Sequence, residues 1–354
     1  MTKMWRTLLL VLFVAGIVAA AGKAFIWGES VTKYGAYVPW GLWIAIYISL
    51  VGAAAGCVGV GAWLTTQEND DSGPGMPAAL MAGAVCLAFG LAFVGVDLGK
   101  PMQGFRIFLH PSFSSPLAWA SWLYAVFFAC VAGYFMTKVR RPLMWLAVLS
   151  AIGFTIAEGL FFGQMVARPL WNSVITTVLF LAAAAASGSA LLLLSWGAAG
   201  LKVAPAMLAK LRKVLLYAVV AYAAVELADV VLAMGGAPEK AMAAKRMISS
   251  YGFWLLFGII GTLVPMFLLL RTKRDVLAAA LVLVGAVGSK YAFVRYGFWG
   301  EPMPGIVQAF QDESLQTRYF PSTLEWIVGV GMLAGAVWVT LWAIEKFVTP
   351  KTAQ

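Results

Sequence analysis

Four ionisable residues sit inside runs of apolar ones: Glu158 in GFTIAEGLFFG, Glu226 and Asp229 in AAVELADVVLAM, and Lys290 in GAVGSKYAFVRYG. A charge placed at the centre of a bilayer costs roughly 3 kcal/mol or more unless it is paired or wetted. Each of the four therefore marks either chemistry or a polar pairing between helices. Lys290 offers an opposite charge to Glu226 or Asp229, so a buried ion pair is one reading of that group, and an ion-coupling or proton path is the other. Glu158 has no evident partner in the sequence. A buried carboxyl of this kind is suited to exchanging protons near neutral pH.

A second candidate is the stretch VGVDLGKPMQGFRIFLHPSFSSPLAWASW, from Val94 to Trp122. It holds Asp97, Lys100, Arg106, His110, a serine cluster, Trp119 and Trp122. Asp97 closes an apolar run three residues before Lys100, and His110, the sole histidine, precedes a proline. One reading is a solvated loop with an interfacial aromatic belt. The other is a pocket in which an amphipathic redox ring exchanges protons with water. Such a ring needs hydrogen-bond donors at its carbonyl oxygens and a proton route, and histidine, tryptophan and carboxylic acids suit that task.

Some chemistry is excluded. A haem held between paired histidines cannot be built from one histidine. Cys57, Cys86 and Cys130 each lie in an apolar run with no CxxC spacing, which argues against an iron–sulfur cluster or a structural zinc. No haem, cluster or metal is expected in this chain.

The elements that must position these residues follow from composition. The chain has 354 residues, 62% hydrophobic and 11% charged, with a mean hydropathy of +0.88. Soluble domains are about half apolar and about a quarter charged. Runs long enough to cross a hydrocarbon core of roughly 30 Å recur throughout. The expected fold is all-α: a polytopic membrane protein with about ten spans beginning near Leu8, Val38, Pro77, Pro116, Leu143, Ser173, Lys213, Phe253, Val276 and Thr323. We read residues 1–354 as one membrane domain. Its expected sub-bundles are 37–166 and 172–294, two four-helix bundles flanked by helices at 8–27 and 323–347.

The net charge of +10 is gathered in short clusters between apolar runs, which suits a membrane and not nucleic acid. Lys138 to Arg141, Lys202 to Lys213 and Arg271 to Arg274 share one side with Lys3, Arg6, Lys346 and Lys351. The positive-inside rule then places both termini in the cytoplasm. The acidic connection from Gln67 to Gly73 falls on the same side, and acidic residues weigh little in that rule. With no convincing cleavage site before Lys23, the first run reads as a retained helix and not a signal peptide. The opposite side carries the longer connections, rich in aromatics, Gly and Pro, and is the surface able to dock an extramembrane partner.

One stretch, YVPWGLWIAIYISLVGAAAG from Tyr37 to Gly56, opens with Pro39, Trp40 and Trp43 and runs into Gly52 and Gly56, four apart. Proline suits the first turn of a helix, and glycines at that spacing let another helix approach closely. This stretch resembles the second-span signature of the NrfD / polysulfide reductase membrane-subunit family. DLGKP (Asp97 to Pro101), LHPSFSSPLAWASW (Leu109 to Trp122), RPLWNSVITTVLFLAAAAASG (Arg168 to Gly188) and STLEWIVGVG (Ser322 to Gly331) match family segments in the same order. The resemblance is specific over Tyr37 to Gly188 and looser beyond.

It implies an integral subunit of a respiratory oxidoreductase complex in the bacterial inner membrane. Such a subunit binds quinone, either menaquinone or ubiquinone, and carries no haem or iron–sulfur cluster of its own. The implied partners are a four-cluster ferredoxin-like iron–sulfur subunit or a multihaem cytochrome on the periplasmic face, plus a catalytic subunit and membrane lipid. Quinone binding is expected of Tyr37, Trp40, Asp97, Lys100, His110, Trp119 and Glu158, with Glu226, Asp229 and Lys290 as a proton path. Lys100 stands where the family usually has arginine, His110 where it has asparagine, and Glu158 where many members have a Tyr-Thr-Gly run. An ion-coupled secondary transporter is the alternative, since buried Glu226, Asp229 and Lys290 suit ion coupling. A bare membrane anchor is a third reading, opposed by the polar outer loop.

Overall fold

Apolar runs of this length have no use for water, and they fold into helices that satisfy their own backbone hydrogen bonds. The computed structural model describes residues 3–69, 73–299, 309–310, 315 and 317–349. Its ten membrane-length helices are α1 (Lys3–Gly22), α2 (Leu42–Glu68), α3 (Gly75–Asp97), α4 (Pro116–Met136), α5 (Arg140–Gly163), α6 (Ile175–Ala198), α7 (Pro205–Met234), α8 (Tyr251–Arg271), α9 (Asp275–Gly297) and α10 (Thr323–Phe347). No strand occurs among the described residues. A short amphipathic helix, Pro238–Ile248, bridges α7 and α8.

Most helices begin close to where hydropathy places them. The exception is α7, which begins at Pro205 and not near Lys213. Proline suits the first turn, where its missing N–H costs nothing. The basic residues beyond it are carried on the helix: Arg212 donates to the carbonyls of Leu269 and Thr272, and Lys210 pairs with Glu68. Within α8 the turns of Trp254–Leu263 widen to π geometry just before Pro265, whose ring a regular α-helix does not accommodate.

Successive spans run in opposite directions, so the longer connections gather on one face. That loop-rich face is tied together by Leu42 N–H donating to the Tyr319 hydroxyl at 2.9 Å and by Lys240 donating to the Asn172 carbonyl at 2.9 Å. The opposite face holds the short, basic connections and the pairing of Arg6 with Glu345.

Helix α2 is the centre of the molecule and the most buried of the spans. It packs on α3, α5, α6, α9 and α10. Its closest approach is to α6, where a Cβ at Gly56 would lie 1.8 Å from the Ala184 carbonyl oxygen and one at Gly188 would lie 2.1 Å from the Gly56 carbonyl carbon. Without hydrophobic drive between helices in lipid, backbone proximity of this kind supplies the dispersion contacts that hold spans together. Gly16 against Gly331 joins α1 to α10 in the same manner, and Gly261 against Gly285 joins α8 to α9.

Candidate functional site

Glu158 projects from α5 into the junction with α2 and α4 and is buried. The Tyr47 hydroxyl of α2 donates to its Oε1 at 2.5 Å, and the Tyr124 hydroxyl of α4 donates to the same oxygen. The two hydroxyls stand 3.0 Å apart. The sequence offered no partner for Glu158, and the structure supplies two. Their signal was present, because a tyrosine in mid-span carries a hydroxyl that hydrocarbon cannot satisfy.

The network continues through Lys290 on α9. Its ammonium is buried without a hydrogen-bond partner and lies 4.1 Å from the centre of the Phe180 ring and 5.5 Å from that of Phe293. Aromatic faces stabilise a desolvated cation by about 2 kcal/mol. Glu226, Asp229 and Glu158 all act on it electrostatically. Glu226 Oε2 accepts from the Ser289 hydroxyl at 3.0 Å, and Ser289 in turn accepts from the Tyr222 hydroxyl at 2.7 Å. Asp229 lies nearer the loop-rich face, where Lys240 joins Lys290 as a counter-charge and its Oδ1 has no partner. Three carboxyls are thus arranged about one ammonium, in a polar chain from α4 across α5 and α9 to α7. The expected ion pair of Lys290 with Glu226 or Asp229 does not close to a direct contact, and the three carboxyls act on the ammonium only through their charge.

Tyr37 and Trp40 lie on the same side of the molecule. The Trp40 ring stacks on Trp171 at 6.0 Å and 17° and meets Phe162 and Phe298 edge-on. The Tyr37 carbonyl accepts from Arg168 at 3.3 Å, and the Arg168 guanidinium sits 4.5 Å from the Phe298 ring centre.

Asp97 belongs to a different group, between α1, α2, α3 and α10. Lys23 donates to Glu29 at 2.6 Å and to the Val96 carbonyl at 2.8 Å, and its charge acts on Asp97. Tyr34 faces Asp97 from the loop before α2. Glu325, fully buried on α10, accepts from the Tyr319 hydroxyl and from the Lys33 backbone N–H at 2.8 Å, while its carbonyl accepts from the Trp43 indole at 3.1 Å. From sequence, Ser322 and Glu325 have the spacing of a helix-capping pair, and the Ser322 hydroxyl does accept from the Glu325 N–H at 3.2 Å. The Glu325 side chain instead turns into the core. Sequence reasoning passed over Lys23, Tyr34, Tyr319 and Glu325.

Lys100 and His110 are exposed on the loop-rich face. Trp119 is half-exposed, and its indole donates to the Phe113 carbonyl at 2.8 Å. It borders a groove of about 270 Å³ between α4 and α5, floored by Gly153 and Ala157. The expected quinone residues are therefore distributed over four places: Glu158 with Tyr37 and Trp40 toward α5 and α6, Asp97 beside α1 and α10, Trp119 at the α4–α5 groove, and Lys100 and His110 on the exposed loop. Among the described residues no group of three or more His, Cys, Asp or Glu side chains is arranged to hold a metal ion.

Burial, reinforced by the Asp97 carboxyl, pushes the Tyr34 phenol well above its ordinary range. Burial beside Glu325 pushes up that of Tyr319 as well. Both therefore stay protonated donors at physiological pH. An unfolded tyrosine ionises near pH 10, so the neutral preference is without effect below that pH, and stability falls as pH rises above it. We expect the thermal midpoint of the wild type to drop more between pH 9 and 11 than that of Tyr34→Phe, with the two alike at pH 8. Parallel curves across the range would show that Tyr34 does not contribute.

In comparison with protein families, the family described as polysulphide reductase, NrfD, matches residues 30–298, from the loop before α2 to the end of α9. Comparison with curated proteins gives no match.

Proposed function

The chain belongs to the NrfD polysulphide reductase family, and from that membership we propose that it is the quinone-reactive membrane subunit of its respiratory complex. It is a multi-pass membrane protein with ten candidate spans, and its family places it in a multisubunit reductase complex. In our reading the membrane is the bacterial inner membrane, with the termini cytoplasmic and the loop-rich face periplasmic. A four-cluster iron–sulfur subunit or multihaem cytochrome, with a catalytic subunit, docks on that face.

A bound quinol supplies two electrons to the docked subunit and releases two protons. The observation that carries this reading is the pair of buried carboxyls beneath the loop-rich half of the protein. Asp97 has an oxygen without a hydrogen-bond partner, and Glu158 is held by two tyrosine hydroxyls. In this reading both take a proton, and Trp40, Tyr37, Lys100, His110 and Trp119 belong to the same half. The chain from Glu158 through Lys290 to Glu226 and Asp229 would then carry protons away from the site.

We expect Asp97→Asn to lower quinone-linked turnover of the assembled complex about a hundredfold, the effect of losing a proton-transfer group. His110→Gln lowers it less, because an exposed group is replaced more readily by water. Turnover at the wild-type level in both variants would remove these residues from the site. Electron-flow-driven acidification of proteoliposomes, compared between wild type and Glu226→Gln, tests the proton path.

A further inference from the structure

Helix α1 packs mainly on α10, and its buried side is built of small residues, Gly16, Ala19, Ala20 and Gly22. The charged group it sends inward stands at its end. There the turns from Lys23 to Trp27 widen to π geometry, a departure that in helices often accompanies a functional position. Gly22 leaves room for the Trp27 ring, which a Cβ there would meet at 2.3 Å. Lys23 is thereby turned into the protein and is only 3% exposed. An ammonium is buried at tolerable cost only where it is paired, and this one is held by the Glu29 carboxylate and the Val96 carbonyl, with the Trp43 ring centre 5.8 Å away.

These contacts converge on one turn of the chain. Val96 immediately precedes Asp97, and a Cβ at Gly99, two residues after it, would lie 3.6 Å from Glu29 Oε1. The Lys23–Glu29 pair therefore brackets the end of α3 on both sides of Asp97. The Asp97 carboxyl is faced by Lys23 from the end of α1, by Glu29 from the turn that follows, by the Tyr34 hydroxyl from the loop before α2, and by Glu325 from α10. Lys23 is the cation among them.

We propose that Lys23 and Glu29 are positioning residues for Asp97: they fix the turn that carries its carboxyl, and their opposite charges set the pH range in which it takes a proton. The inference rests on the proposed function, in which Asp97 accepts that proton from quinol. Lys23 is engaged by Glu29, Val96 and Trp43, so it acts through Asp97 and not on a substrate. Both residues precede the segment that the family match covers, so the N-terminal helix adds a control that the matched segment does not itself contain. The sign of that control is fixed by the charges. A carboxyl accepts a proton only when ionised, a nearby cation favours the ionised form, and a nearby anion disfavours it. Loss of the Lys23 charge therefore moves the acid limb of turnover to higher pH, and loss of the Glu29 charge moves it to lower pH.

The test is the pH profile of quinol oxidation by the assembled complex. Lys23→Met is expected to move the acid limb up by about one pH unit, a loss of about fivefold at the pH where the wild type is half-maximal. Glu29→Gln should move it down by a similar amount. Lys23→Arg keeps the charge and should restore the wild-type limb. A role confined to holding the fold would lower the plateau and the thermal midpoint and leave the limb in place. Where Lys23→Met does not assemble, Glu29→Gln decides alone, since its side chain is half-exposed and the substitution keeps its size. Limbs that stay in place, or that move in the same direction in both variants, would overturn the inference. The proposed function then stands as long as Asp97→Asn still loses turnover. Wild-type turnover in Asp97→Asn would remove Asp97 from the site, and this inference with it.

Discussion

Glu158→Gln is expected to lower quinone-linked turnover by a factor of about 10²–10³, the range for removal of a proton-transfer group, with the complex still assembled. Glutamine keeps the size of the side chain, and its carbonyl oxygen still accepts from Tyr47 and Tyr124, so the folding cost stays near 1 kcal/mol. What it cannot do is hold or pass a proton, and it removes one of the three carboxyls around Lys290. Glu158→Leu separates the two roles further. It leaves two buried hydroxyls competing for each other alone, at about 1–3 kcal/mol for each group left unsatisfied, and should lower the thermal midpoint as well as turnover. The measurements are quinol oxidation normalised to complex content and thermal unfolding of the same preparations. Wild-type turnover in Glu158→Gln, with the expected loss of stability in Glu158→Leu, would make the carboxyl a structural tie between α2, α4 and α5.

The second large effect is on assembly. Gly56→Val should abolish folded protein in the membrane, whereas Gly52→Ala, one turn away on the same helix, should be tolerated. A Cβ at Gly52 meets Ala184 at 3.6 Å, an ordinary contact. At Gly56 the same atom would lie 1.8 Å from a backbone oxygen and 3.0 Å from the Gly188 Cα. No rotamer change relieves a clash with backbone, so α2 and α6 must separate. Overpacking typically costs about 1–3 kcal/mol when side chains can yield, and here they cannot. Because α2 is the most buried helix, its displacement disturbs α3, α5, α9 and α10 together. Protein yield and detergent-extracted thermal midpoint report the difference, and a Gly56→Val variant as stable as Gly52→Ala would refute the close packing.

The glycine contact was half legible beforehand. The spacing of Gly52 and Gly56 marks a face for close approach, but only the placement of α6 shows that Gly56 and Gly188 meet while Gly52 has room to spare. The buried charges divide similarly. Each of Glu158, Glu226, Asp229 and Lys290 stands out because apolar neighbours make its cost visible in one dimension. Glu325 did not stand out, because it begins a span where a capping carboxyl is ordinary. Lys23 was also missed, since it closes an apolar run where a lysine can reach the interface.

The number, length and order of the spans, their alternation, and the aromatic and basic residues at their ends were determined by the sequence alone. Each follows from local composition measured against the thickness of a bilayer, and α7 departs from its expected start only because Pro205 can begin a helix ahead of its basic residues. Which helices become neighbours was decided by the tertiary structure. Tyr47 and Tyr124 meet Glu158, Lys290 lies against Phe180 and Phe293 in the field of Glu226, Asp229 and Glu158, and Tyr34 and Tyr291 flank Tyr319, across separations of up to hundreds of residues. Hydrocarbon imposes no preference between one apolar helix face and another, so those pairings are set by small-residue packing and by the need of each buried polar group for a partner.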